Sequence, residues 1–153
     1  MKRFVFRFQS VEKIRKIEME RQARVLAEAQ MKVRQIETEV ENIKERNRAE
    51  VGRLQSLATR GEIPQQLMAL SEMYREELKR AHRRKMIELR DAEAKVREER
   101  DRLIEKERAR KVMEKVRERD FESYVEETRR MEAKTIDEMA HRPIGQFLSD
   151  GES

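Results

Sequence analysis

Residues suited to a seam between helices recur along this chain at alternating steps of three and four. One series occupies the first half: Leu26, Ala29, Val33, Ile36, Val40, Ile43 and Asn47. A second series occupies the second half: His82, Lys85, Leu89, Ala92, Val96 and, one heptad on, Leu103. This alternation is typical of the a and d positions of a supercoiled helix. The pattern predicts two long helices, each with one narrow seam.

The segment 61–64, Gly-Glu-Ile-Pro, separates the two series. Gly61 can adopt the left-handed conformation that ends a helix, and Pro64 suits the first position of the next helix. Seam residues such as Val33 and Ala92 lie equally far from this segment, as partners in a hairpin must. A register shifted by one heptad would place the turn in sequence that has no helix breaker. The chain is therefore predicted to be all-α, a two-helix antiparallel coiled-coil hairpin.

The predicted organisation is a single coiled-coil rod over residues 1–153. Its expected parts are helix 1 over about 6–59, a turn over 60–63, helix 2 over about 64–141 and a flexible tail over 142–153. Helix 1 is expected to begin with Phe4, Phe8 and Val11 in helical spacing.

Helix 2 is predicted to be longer than helix 1, which leaves most of residues 121–141 without a partner in the chain. These residues keep the seam spacing in a series that we call the overhang stripe: Phe121, Tyr124, Thr128, Met131 and Thr135. An apolar stripe with no partner inside the chain is a candidate binding surface.

Composition favours a helical rod over a compact domain. Of 153 residues, 45% are charged and 5% are aromatic, which is too little apolar mass for an ordinary core. Disorder is the competing interpretation, but the sustained heptads, with only four Gly and two Pro, favour ordered helix. The sequence has no Cys, no apolar stretch of about 20 residues and a charge-interrupted N-terminus, which together favour a cytoplasmic address.

Polar residues near the seams are expected to have structural roles. Asn47, opposite Leu78, is predicted to fix the register of the helices at some cost in stability. Lys85 is expected to bend its ammonium group towards solvent. Glu98 and Glu99 are expected on solvated faces.

No residue pattern points to catalysis, so the sequence predicts a protein that is not an enzyme and needs no cofactor, metal or small molecule. His82 falls at a seam position, and His141 suits the C-terminal end of a helix. A basic cluster supports only non-specific attraction to phosphates, so no nucleic-acid partner is expected. Its members are Lys79, Arg80, Arg83, Arg84 and Lys85.

Several stretches of the chain resemble the flagellar FliJ family. They are the Phe-rich start over 6–15, the segment 26–30, the segment 112–119, and the segment 129–140 with its Asp-Glu-Met-Ala ending. The resemblance covers nearly the whole chain. It implies a hairpin similar to the central shaft subunit of rotary ATP synthases. It also implies a component of the flagellar type III export apparatus, at the cytoplasmic face of the inner membrane.

The partners implied by the resemblance are the export ATPase and its regulator, the membrane export gate protein and the export substrate chaperones. The leading hypothesis is a stalk and adaptor with two binding regions. The ATPase end is expected to use Phe4, Phe8, Phe121, Tyr124 and Met131. The hairpin tip is expected to bind the gate or the chaperones through Val51, Leu54, Leu67, Leu70 and Tyr74. The alternatives are a homodimeric coiled-coil tether and a basic rod associated with nucleic acid.

The complementary seams within one chain predict that the protein is a monomer. Light scattering of the purified chain should therefore give the mass of one copy at micromolar concentration. A stable dimer would favour the homodimeric tether, in which the same heptads pair between chains.

Overall fold

The computed structural model describes residues 2–61 and 63–142, and these residues form two helices. Helix α1 spans Gln9–Arg60 with 52 residues, and helix α2 spans Gln65–Ala140 with 76 residues. No strand occurs within the described ranges. The predicted fold class, an all-α hairpin with a longer second helix, is confirmed. The expected flexible tail lies outside the described residues from residue 143 onwards.

Helix α1 begins later than its apolar spacing indicates. The prediction that Phe4 and Phe8 open the helix is wrong, since residues 2–8 are not helical. The chain instead turns into the helix through a backbone hydrogen bond from Gln9 N to Phe6 O of 3.3 Å. Phe6 is buried, and the backbone of residues 2–8 that holds the aromatic side chains is not helical. Aromatic residues lose side-chain freedom in a helix, so packing decides the conformation here.

The segment between the helices contains the two predicted helix breakers, Gly61 and Pro64, but Pro64 has a different position in the helix from the one expected. Gly61 has a φ of +149°, a conformation that residues with a Cβ rarely adopt. The carbonyl of Pro64 accepts hydrogen bonds from the N–H groups of Leu67 and Met68 at 3.0 and 3.1 Å. Pro64 is therefore the N-cap of α2, not its first helical residue, and α2 begins at Gln65.

The chain divides into two compact units. The turn unit comprises Ile17–Glu107. The terminal unit comprises the described residues of Met1–Lys16 and Arg108–Ser153. Each unit therefore contains a part of both helices.

The seam of the turn unit has the predicted register. Ile36, Val40 and Leu78 are buried. One small cavity is bordered by Ile43, Asn47, Leu78 and His82, which matches the expected pairs. A second is bordered by Ala29 and Ile36 from α1 and by Ala92 from α2. The contacts agree with an antiparallel pairing centred on the segment 61–64.

A buried carboxylate interrupts the apolar seam between Val96 and Leu103. The expectation that Glu99 is solvated is wrong, since only 4% of it is exposed. Gln22 Nε2 donates to Glu99 Oε2 at 2.5 Å and to Glu99 O at 3.1 Å, and Arg102 pairs with Glu99 at 2.9 Å. Glu99 occupies a seam position by heptad spacing, and this pairing offsets the cost of burying its charge.

A second buried carboxylate lies closer to the turn. Ser71, only 2% exposed, donates its hydroxyl to Glu50 Oε1 at 2.5 Å. Arg53 Nη2 donates to the same oxygen at 2.7 Å. The hydrogen bond from Arg53, followed by that from Ser71, holds the pKa of Glu50 below its ordinary value of 4.5. The folded state therefore favours the charged form of Glu50.

The two polar seam residues predicted from the sequence, Asn47 and Lys85, differ in whether their polar atoms have partners. Asn47 borders the cavity beside Leu78, but its buried Oδ1 has no hydrogen-bond partner among the described residues. Lys85 extends its ammonium to Glu39 at 2.5 Å and Glu88 at 2.9 Å, and these two hydrogen bonds raise its pKa. The buried carboxylates, in contrast, have specific partners across the seam in Gln22 and Ser71.

Gly52, inside α1, and Gly61, after its end, make a matched test of the turn. Nothing lies within 4 Å of a Cβ added at Gly52 or at Gly61, so only the backbone differs. Gly61→Ala should lower the free energy of unfolding by about 1–3 kcal/mol because of the strained φ. Gly52→Ala, inside α1, should raise it by about 0.5–1 kcal/mol. Chemical denaturation measures both changes, and effects of the same sign would contradict this account of the turn.

The lowered pKa of Glu50 predicts a specific loss of stability in acid. The charged form contributes stability above the ordinary pKa of Glu, and that contribution disappears as pH falls through the folded pKa. Wild type should therefore exceed Glu50→Gln in stability at pH 7, and the difference should shrink towards pH 3. Denaturation curves across this range provide the measurement. A difference that is constant with pH would show that the charge of Glu50 is not what stabilises the seam.

Candidate partner-binding surfaces

An aromatic cluster joins the N-terminal segment to α2 in the terminal unit. The ring of Phe4 lies 5.3 Å from that of Phe121 and 5.5 Å from that of Tyr124, measured between centroids. Phe121 and Tyr124 lie 6.4 Å apart. The hydroxyl of Tyr124 donates a hydrogen bond to the carbonyl oxygen of Lys2. Edge-to-face and tilted pairs of this kind add about 0.5–1.5 kcal/mol beyond their buried area.

We call the non-helical segment Lys2–Phe8 the strap. Its buried residue is Phe6, whose ring lies 6.0 Å from that of Phe8. The Arg7 guanidinium lies 5.3 Å from the Phe8 ring, a cation–π contact. Phe6 was not among the residues predicted from the sequence. The alternation of Phe4, Phe6 and Phe8 has a period of two, which is typical of extended chain and could have identified the strap.

The strap contacts one part of the overhang stripe and leaves another part exposed. Tyr124 was expected to lie beyond the reach of helix 1, but it contacts Phe4 and Lys2. Met131 is 72% exposed, and the exposed residues Ile136 and Met139 continue the apolar surface. Ile136 and Met139 were missed because they do not follow the strict seam spacing.

Two threonines of the overhang stripe present little polarity to a partner. Thr128 Oγ1 donates to Tyr124 O at 2.8 Å, and Thr135 Oγ1 donates to Met131 O at 3.0 Å. Because each hydroxyl already bonds the preceding turn of α2, the stripe is less polar than its sequence indicates.

The strap and α2 border an open groove of about 1040 Å³ in the terminal unit. Its apolar residues are Phe4, Val5, Tyr124, Met131, Ile136 and Met139. Of the five residues expected at the ATPase end, Phe4, Tyr124 and Met131 border this groove, and Phe121 contacts Phe4. Phe8 does not border the groove and packs with Phe6. The groove is therefore the candidate site of the terminal unit.

The residues expected at the hairpin tip divide into two groups in the turn unit. Val51, Leu54 and Leu67 are half-buried. Leu70 and Tyr74 are exposed, and the exposed Met73 lies beside them at helical spacing. Met73 was not among the residues predicted from the sequence, although it lies three residues after Leu70 and next to Tyr74. Leu70, Met73 and Tyr74 form what we call the tip patch.

The basic cluster of α2 is partly neutralised by carboxylates. Lys79 pairs with Glu76 at 3.2 Å, and Arg84 pairs with Glu77 at 3.1 Å. Lys85 pairs with Glu39 and Glu88, as described above. This pairing reduces the positive potential available to phosphates. The structure therefore adds no support to a nucleic-acid partner.

Within residues 2–61 and 63–142, no group of His, Asp and Glu side chains is arranged to hold a metal ion. Neither helix, over its described length, has an apolar stretch able to cross a membrane.

Comparison with known proteins gives one match. A protein-family model described as flagellar FliJ protein matches residues 4–146, nearly the whole chain. No curated protein and no solved structure shows significant similarity to the chain.

Proposed function

The chain belongs to the flagellar FliJ family and is a component of the flagellar export apparatus, and we propose that it acts as the stalk of the export ATPase ring. We further propose that it is a non-enzymatic adaptor to the membrane export gate protein and to the export substrate chaperones. It would work in the cytoplasm, at the inner face of the membrane that holds the export apparatus.

The groove of the terminal unit carries the first part of the proposal. Exposed apolar side chains that border one groove, here Met131 and Ile136 beside Tyr124, are typical of a surface that binds another protein. Aromatic residues and methionine are enriched at protein interfaces. We assign this surface to the ATPase and its regulator.

The tip patch supports the adaptor role. Met73 and Leu70 are 70% and 63% exposed, and Tyr74 lies on the same face of α2. Exposed methionine favours binding to several partners because its side chain adapts to different surfaces. We assign this patch to the gate protein and the chaperones.

Two double variants separate these assignments. Met131→Ala with Ile136→Ala should weaken binding to the purified export ATPase by about tenfold or more, since truncated anchors often dominate binding energy. Leu70→Ala with Met73→Ala should weaken binding to the gate protein and chaperones and leave ATPase binding unchanged. Calorimetric titration measures each affinity. All four side chains are exposed, so the melting temperatures should stay close to that of wild type.

The matched control is Met86→Ala with Ile87→Ala. Met86 and Ile87 repeat the residue types of the first variant and are also exposed, but they belong to neither surface. This control should retain all affinities. Loss of ATPase binding in the control and the first variant alike would contradict a specific contact at the groove.

A further inference from the structure

The groove of the terminal unit has the geometry of a vacant helix position. Helix α1 begins at Gln9, whereas the alternating steps of three and four on α2 continue through Tyr124, Thr128, Met131 and Thr135. A heptad stripe is complementary to a second helix, whose side chains fit between its own. Beside the overhang stripe, the non-helical strap takes the place of helix 1.

The charged residues of the groove come from two different sources. The strap contributes cations: Lys2, Arg3 and Arg7. Helix α2 contributes acids: Asp120, Glu127 and Glu132. Among the described residues, none of these six forms an ion pair within 4.0 Å. Their charges are therefore available to a bound partner, with opposite signs on the two sides.

The uncovered part of the stripe has the length of a short helix. From Thr128 to Met139, α2 extends about 17 Å at 1.5 Å per residue, which corresponds to about three helical turns. Met131, Ile136 and Met139 are exposed along this length.

We propose that this groove binds one amphipathic helix of a partner protein, and that this helix carries both signs of charge beside its apolar stripe. Basic residues of the helix lie against Glu127 and Glu132, as flanking positions do in coiled coils. Acidic residues lie where the helix meets Lys2 and Arg3 of the strap. Phe4 and Tyr124 hold the strap in place and so position these cations.

This inference rests on the proposed function for the identity of the partner, the export ATPase, but not for the chemistry of the groove. Three synthetic peptides of about 14 residues test that chemistry directly, each stapled as a helix with the same leucine stripe. One has basic flanks and an acidic end, one has only acidic charges, and one has only basic charges. Fluorescence anisotropy with the full chain measures their affinities.

The mixed-charge peptide should bind at least about fivefold more tightly than the other two, since paired charges at an interface set specificity. Glu127→Lys with Glu132→Lys should weaken the binding of the mixed-charge peptide and strengthen the binding of the acidic peptide. A matched charge reversal on exposed residues outside the groove, Glu118→Lys with Glu122→Lys, should leave this order of affinities unchanged. Peptides that bind equally, or a basic peptide that binds best, would overturn the proposal.

The strap provides an independent variant. Phe4→Ala should release the strap, and binding of the mixed peptide should fall by about fivefold or more as the cations lose their position. Stronger binding would show that the strap is a cover over the stripe and would overturn its role as a wall of the groove. Circular dichroism checks that the helices are intact.

Competition with the purified ATPase separates the inference from the proposed function. The mixed peptide should displace the ATPase from the full chain. Selective peptide binding without displacement would refute the assignment of the ATPase to this groove while supporting the groove as a helix site. Absence of selective peptide binding would refute the helix site, whether or not the ATPase binds.

Discussion

The narrow seam between α1 and α2 is the constraint on which the rest of the structure depends. With 45% charged residues, the chain has too little apolar mass for a compact core, so its two helices pack along one narrow apolar seam. Ile36, Val40 and Leu78 are buried because each lies at a seam position. The antiparallel order requires the chain to reverse once, and the backbone of Gly61 permits that reversal.

Two buried carboxylates make the seam more specific than its apolar residues alone. Glu99 has Gln22 as its partner from α1, and Glu50 has Ser71 as its partner from α2. Moving one helix by a heptad would separate each pair, so each buried carboxylate would keep the arginine of its own helix, Arg102 or Arg53, but lose the hydrogen bond that it accepts across the seam. A buried carboxylate with fewer hydrogen bonds is costly, so these pairs disfavour alternative registers that the apolar pattern alone would tolerate.

The fold was predictable from the sequence because its seam is periodic and its turn has two helix breakers. Heptad spacing from Val96 and Leu103 places Glu99 at a seam position, but the partner that allows a carboxylate to be buried there, Gln22, is distant along the chain. The conformation of the strap was missed because Phe4 and Phe8 fit a helical spacing, whereas Phe4, Phe6 and Phe8 together fit the period of two that the buried Phe6 supports. The candidate surfaces were located in part. Seam spacing identifies Met131, whereas Met73 lies off the seam and shares its helical spacing with Leu70 and Tyr74 instead.

The register of the seam is the central claim, and cysteine cross-linking tests it most directly, since the chain has no Cys of its own. Asn47→Cys with Leu78→Cys places two thiols at facing positions. Mild oxidation should form a disulfide within one chain, because facing Cβ atoms come close enough for the bond. Asn47→Cys with Lys85→Cys, one heptad away, should not form it. Efficient bonding in the second variant, or disulfide-linked dimers alone in the first, would contradict the antiparallel register.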